Sequence, residues 1–81
     1  MKITQDHIDN LISNSKIEKF KAGLKTTIVH LTLPNGFEIV GSSTCVDPNE
    51  YDFDIGVSIA LKRVEDQIWL LEGYLLQNNK S

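Results

Sequence analysis

The chain has 81 residues, a formal charge of −3 and 41 % hydrophobic residues, which suits one small domain spanning residues 1–81. Surface scaling gives about 4,900 Å² folded against about 13,000 Å² unfolded, so roughly 63 % is buried and the stability margin is thin. Charged residues make up 23 %, which argues against disorder, and no apolar run approaches the ~20 residues that span a bilayer.

In chain order, the first element is a short helix. Ile8, Leu11 and Ile12 fall on one helical face with Ile3 before them, Thr4 is placed to cap it, and Asp6 opposes the helix dipole in the first turn. Ser13-Asn14-Ser15 is turn chemistry and stops it. Ile17-Glu18-Lys19-Phe20-Lys21 alternates as a short edge strand does, with lysines that discourage another chain from pairing there. Ala22-Gly23 breaks the run. The clearest strand is Thr26 to Leu33, rich in β-branched residues, with Thr27, Val29, Leu31 and Leu33 on one side.

Pro34-Asn35-Gly36 then predicts a hairpin in which Asn35 and Gly36 both tolerate positive φ. Phe37 and Ile39 share a face of the returning strand, and residues 42–46 extend it, bend it or add a third strand. Asp47-Pro48-Asn49-Glu50-Tyr51-Asp52 is a loop opened by Asp-Pro. From about Asp52 to about Gln77 the stripe Phe53, Val57, Leu61, Val64, Ile68, Leu71, Leu75 predicts a long amphipathic helix that buries Val57, Leu61, Val64, Ile68 and Leu71. Gly56 and Ala60 flank that stripe and permit a close approach. Gly73 marks either a change of direction or a close contact. Residues 78–81 read as a frayed tail. The fold class is therefore α+β: a small antiparallel β-meander of two to three strands, a short N-terminal helix, and the long C-terminal helix packed on the sheet.

Chemistry-bearing residues are sparse. His7 and His30 lie on different elements, without the second ligand a metal centre needs. Cys45 is the sole cysteine, so no internal disulfide forms and a reducing compartment fits. The N-terminal residues lack the apolar core of a secretory signal, and cytoplasmic residence is the expectation. A Cys45–His30 pair on neighbouring strands is conceivable, but buried cysteines mostly act as small hydrophobes. Asp47, Glu50, Asp52 and Asp54 miss the calcium-loop pattern, and Asp47 or Asp52 suits the N-cap of the long helix. The reading has no catalytic residue, no metal and no cofactor.

Charge is unevenly spread. Lys2, Lys16, Lys19, Lys21 and Lys25 occupy the first third, and the acidic residues gather at 47–54. A basic edge and an acidic corner follow, although ordinary solvated surface explains both equally simply. Net acidity makes nucleic acid an unsuitable partner. Asp47, Glu50, Tyr51, Asp52 and Asp54, with Trp69 and Tyr74 on the long helix, are the candidate partner-binding residues, since Trp and Tyr anchor interfaces. Core packing is the plain alternative for Trp69.

Four blocks carry a family resemblance. They are Leu31-Thr32-Leu33-Pro34-Asn35-Gly36-Phe37, Val46-Asp47-Pro48-Asn49-Glu50-Tyr51-Asp52, Asp54-Ile55-Gly56, and Ile68 through Leu76 with Trp69 and Glu72-Gly73-Tyr74. Their order and spacing resemble the small tailed-phage and prophage proteins of the phage gene-product 49/66 family, over about Thr26 to Leu76. Where that family often has Ser-Ala-Cys-Val-Asp-Pro, this chain has Ser43-Thr44-Cys45-Val46-Asp47-Pro48. The resemblance implies phage origin and action in a bacterial cytoplasm, with no established enzyme activity.

The functional expectation is a non-catalytic module that binds a host defence or regulatory protein and blocks or redirects it. The alternative is an oligomeric sponge that sequesters a small nucleotide signal in a cationic pocket built from Lys16, Lys19, Lys21 or Arg63. A homodimer is expected, because Ile55, Ile59, Leu70 and Leu76, with Trp69 or Tyr74, lie off the main helical stripe and one small sheet covers one face only. Gly73 would let two such helices approach. The competing arrangement folds the first helix back, through Ile8, Leu11 and Ile12, as a lid.

Overall fold

The computed structural model describes residues 2–79. Helix α1 (Gln5–Ser13) leads into strands β1 (Lys16–Ala22), β2 (Thr26–Thr32) and β3 (Glu38–Thr44). A 3-10 turn (Pro48–Glu50) and helix α2 (Phe53–Asn79) follow. The strands form one antiparallel sheet in the order β1-β2-β3. Helix α2 packs on β2 and β3, and α1 packs against α2.

Local chemistry sets the ends of these elements. The Thr4 hydroxyl accepts the His7 backbone N–H at 3.2 Å and caps α1, which ends at Asn14. The Asp52 carboxylate accepts the backbone N–H groups of Asp54 and Ile55 at 3.0 and 3.2 Å, which satisfies two donors at the start of α2.

The core lies between the sheet and the helices. Ile8, Val29, Leu31, Ile39, Ala60, Val64 and Ile68 are buried, with Ile3, Leu11, Ile12, Leu33, Val57, Leu61 and Trp69 packed around them. Strand β2 supplies the alternation expected of it, burying Thr27, Val29 and Leu31. Register puts Leu31 beside Ile17 and Ile39, and Val29 beside Lys19 and Gly41. Strand β1 is an edge strand, exposed at every position but Ala22. The opposite face of the sheet presents half-exposed Phe20 and Val40.

Two glycines bring α2 down onto the sheet. A Cβ at Gly56 would strike the Thr27 hydroxyl, and one at Gly41 would strike the Ala60 carbonyl oxygen and lie 2.7 Å from Val64 Cγ2. The free edge of β3 is covered from above. The Arg63 guanidinium donates to the Ser42 carbonyl at 2.6 Å, and the Gln67 amide donates to the Val40 carbonyl at 2.9 Å.

Several expectations need correction. The buried line of α2 is Gly56, Ala60, Val64 and Ile68, so at the start of the helix it runs through the flanking Gly56 and Ala60 rather than through Phe53, Val57 and Leu61. Val57 and Leu61 are only partly buried, and Leu71 is 41 % exposed. The cause is length: 27 residues of helix reach about 40 Å, while seven residues of strand reach about 23 Å. The stripe continues through Leu71 and Leu75 after the sheet beneath it has ended. Helix α2 also runs unbroken through Gly73, where nothing lies within 4 Å of an added Cβ. Asn78 and Asn79, expected in a frayed tail, are helical, and residues 80–81 of that tail lie outside the described residues. The first helix does fold back onto α2, with Ile8 fully buried, but it leaves Ile55, Ile59 and Leu70 of the off-stripe face exposed.

The hairpin forms by a different turn. Gly36 takes φ +91°, but among the described residues no non-glycine residue has positive φ, so Asn35 is not left-handed. The Gly36 N–H donates to the Leu33 carbonyl and the Leu33 N–H to the Phe37 carbonyl, both at 2.8 Å. This is a three-residue loop closed by a glycine bulge, which accepts Pro34 at its first position. Gly36→Val is expected to cost about 1 kcal/mol or more, because a β-branched residue is forced into positive φ. The thermal midpoint reads this directly, and an unchanged value would contradict the turn.

Candidate functional site

The candidate residues separate into two groups. Asp47, Glu50, Tyr51, Asp52 and Asp54 surround the 3-10 turn and the first turn of α2. Trp69 and Tyr74 lie near the other end, with Asp54 and Trp69 about 22 Å apart along the helix.

In the acidic corner, two of the four carboxylates hold the local backbone. Asp47 accepts the Asn49 N–H at 2.9 Å and caps the 3-10 turn, as Asp52 caps α2. Glu50 and Asp54 are exposed, and their carboxylates make no hydrogen bond or ion pair among the described residues. Tyr51 is half-buried, and its hydroxyl meets the fully buried Thr27 hydroxyl at 2.7 Å. That bond ties the loop to β2 and satisfies Thr27 inside the core.

Sequence reading treated the basic and acidic regions as separate poles. The structure brings them together. The Lys21 ammonium sits 4.7 Å from the centre of the Tyr51 ring, and the Lys25 ammonium donates to the Val46 carbonyl at 3.1 Å. Lys25, Thr27, Tyr51, Asp52, Ile55 and Ile59 line a shallow concavity of about 140 Å³. Ile55 is 60 % exposed on its wall. Sequence reading named these lysines but not their place: the β1–β2 pairing sets Lys21 opposite Thr27, and the Cys45 N–H bond to the Lys25 carbonyl holds Lys25 beside the end of β3.

At the far end, Trp69 packs on the core, as the plain reading of it held, while Tyr74 is 70 % exposed. Leu70 is 75 % and Leu75 53 % exposed beside it. Leu33, Phe37, Leu71, Tyr74 and Leu75, together with Asn35 and Glu72, wall a largely apolar cleft of about 250 Å³ between the hairpin tip and α2. Sequence reading had assigned Leu71 to the core and Phe37 to the sheet face, so this cleft was not anticipated.

The remaining polar residues are accounted for locally. His30 bonds Glu38 at 2.7 Å on the open sheet face. Cys45 lies beyond the Thr26–Thr44 pair, about 16 Å along the strand from His30, and its thiol donates to the Asp47 carbonyl at 3.3 Å. The suggested Cys45–His30 pair is therefore not formed. On the wet side of α2, Lys62 bonds Asp66 at 3.1 Å, and that bond, with the charges of Asp66 and Glu65, holds the ammonium pKa above its ordinary value. Among the described residues no group of three or more His, Cys, Asp or Glu could hold a metal ion, and no helix is long and apolar enough to cross a membrane.

The sequence model of the family described as phage protein (N4 Gp49/phage Sf6 gene 66) matches residues 3–80. The match takes in α1 and β1, a wider span than the motif blocks had indicated. No curated protein and no solved structure matches the chain.

Proposed function

The chain belongs to the phage protein (N4 Gp49/phage Sf6 gene 66) family, and on that premise we propose that it is a non-catalytic binding module. It acts in the bacterial cytoplasm, where it engages a host defence or regulatory protein and blocks or redirects it. The observation that carries this reading is the corner at the start of α2. There Ile55 and Ile59 stand uncovered beside the unpaired carboxylates of Glu50 and Asp54. An apolar centre with a charged rim is the anatomy of a protein-binding patch, and the acidic rim selects a partner with a basic one.

Capture from bacterial lysate tests it with three baits: wild type, Ile55→Arg, and Glu50→Lys combined with Asp54→Lys. All three positions are exposed, and neither carboxylate caps a helix, so the variants should keep the wild-type circular dichroism. One polypeptide should be enriched by the wild type and lost, by roughly tenfold or more, with either variant. Absence of any enriched polypeptide, or equal capture by all three, contradicts the proposal.

One observation favours a second reading, sequestration of a small nucleotide. The Tyr51 ring, the lysine over it and the hydroxyls of Ser43 and Thr44 offer a stacking surface with cationic and hydrogen-bonding groups. The concavity of about 140 Å³ is smaller than the ~300 Å³ at which ligand pockets begin, so this reading requires a second chain to complete the site. Thermal-shift measurements with cyclic and adenosine-derived nucleotides separate the two readings. A nucleotide-dependent rise abolished by Tyr51→Ala supports sequestration, and no shift at millimolar ligand removes it.

A further inference from the structure

We infer that the overhanging end of α2, together with the tip of the β2–β3 hairpin, is a dimerisation surface whose occupant is a second copy of this chain. The first ground is shape. The radius of gyration is 14.5 Å, against about 11.7 Å for a compact domain of this length. The longest extent is 50 Å, and the other two are 20 and 18 Å. The accessible surface is 5688 Å², about 800 Å² more than a compact monomer of this mass exposes. One partner's share of a standard protein–protein interface is also about 800 Å².

The second ground is where apolar surface has been left. Beyond Ile68 the core-facing stripe runs on through Leu71 and Leu75 with no sheet beneath it, flanked by exposed Leu70 and Tyr74. Phe37, half-exposed at the hairpin tip, closes the other wall of the cleft. A strip of this kind is larger than soluble monomers usually keep in water.

The third ground is charge. Residues 70–79 contain one ionisable side chain of full charge, Glu72, and it lies 3.6 Å from His7 of α1. Each strip thus carries a single carboxylate, and Glu72, beside His7, lines the cleft while Leu70, Tyr74 and Leu75 make up the exposed apolar surface. A twofold axis lets Leu75 of each chain enter the partner's cleft between Phe37 and Leu71, burying the same residues twice.

The other ways of self-pairing are obstructed. Antiparallel pairing of β1 with itself, centred on Lys19, sets lysine opposite lysine. At the β3 edge the carbonyls of Val40 and Ser42 are already occupied by Gln67 and Arg63. Helix α1 is itself engaged on α2, where Gln5 bonds Glu65 at 2.9 Å and His7 lies 3.6 Å from Glu72.

Size-exclusion chromatography with light scattering, run as a dilution series, tests the inference. At micromolar concentration and above, the wild type should show twice the 9.1 kDa chain mass. Leu75→Glu should raise the dimer dissociation constant about a hundredfold or more, because a carboxylate would be buried without a partner. Leu75 is half-exposed in the single chain, so the variant should keep its circular dichroism and unfold cooperatively. Lys19→Glu serves as the comparison and should leave the mass unchanged. A wild type that stays at the single-chain mass at about 100 μM, where an interface of this size assembles, overturns the inference. So does a dimer that survives Leu75→Glu, or one that Lys19→Glu disperses. The readout needs no host component, so its failure is distinct from failure of the capture experiment.

Discussion

Gly56→Val is expected to remove most of the stability of the domain. An added Cβ would strike the Thr27 side chain, which is fully buried and fixed by its bond to the Tyr51 hydroxyl. Thr27 cannot rotate aside without breaking that bond and leaving a hydroxyl unsatisfied in the core. The alternative is for α2 to lift from the sheet, which opens the contacts of Ala60 and Val64 with Gly41 as well. Overpacking alone costs about 1–3 kcal/mol, and the lost bond adds about 1–3 kcal/mol. A domain of this length holds about 4–12 kcal/mol in total. The urea midpoint should fall far, with Gly41→Val behaving similarly. Gly23→Ala is the contrast. Gly23 has φ +71° but nothing within 4 Å of an added Cβ, so only backbone strain of about 1–2 kcal/mol applies. If Gly56→Val and Gly23→Ala unfold at the same midpoint, the helix does not lie as close to the sheet as these contacts require.

The contrast between those glycines shows what the sequence could and could not reveal. Gly56 was legible as a point of close approach because it lies beside an apolar stripe of period 3.6, and periodicity is a local property. The alternation of β2, the cap at Thr4 and the turn chemistry at Asn14 were legible for the same reason. The burial of Leu71 was misjudged because it depends on where the sheet ends, and nothing local in α2 encodes the length of β2. Asn35 was assigned a positive φ from its dipeptide, but Pro34 and the Leu33–Phe37 pairing select a loop in which only Gly36 needs it. At the acidic corner, sequence proximity identified the carboxylates. Capping preference also placed Asp47 or Asp52 at the start of α2, where Asp52 does cap while Asp47 caps the 3-10 turn; that strand pairing carries Lys21 to Tyr51 was not legible.

Ile68→Ala and Leu71→Ala lie one turn apart on one stripe, and their effects should differ severalfold. Ile68 is 1 % exposed and packs among Leu31, Val64 and Ile8 in the core cluster. Its truncation leaves a cavity between sheet and helix and should cost about 2–5 kcal/mol. Leu71 sits where the sheet has run out and already meets water over much of its surface. In the single chain its truncation should cost about 1 kcal/mol or less, the transfer value of the partial burial it loses. Urea titrations at nanomolar protein concentration would isolate these single-chain values. At higher concentration the pattern should change in one variant only. If α2 ends pair between copies, the folded state is stabilised by mass action, and Leu71→Ala then loses that added stability while Ile68→Ala does not. The Leu71→Ala deficit should grow as protein is raised from nanomolar to about 100 μM, where an interface near 800 Å² per partner is populated. Equal midpoints for the two variants at nanomolar concentration would place Leu71 in the core after all. A deficit for Leu71→Ala that stays constant with concentration would leave the end of α2 unpaired.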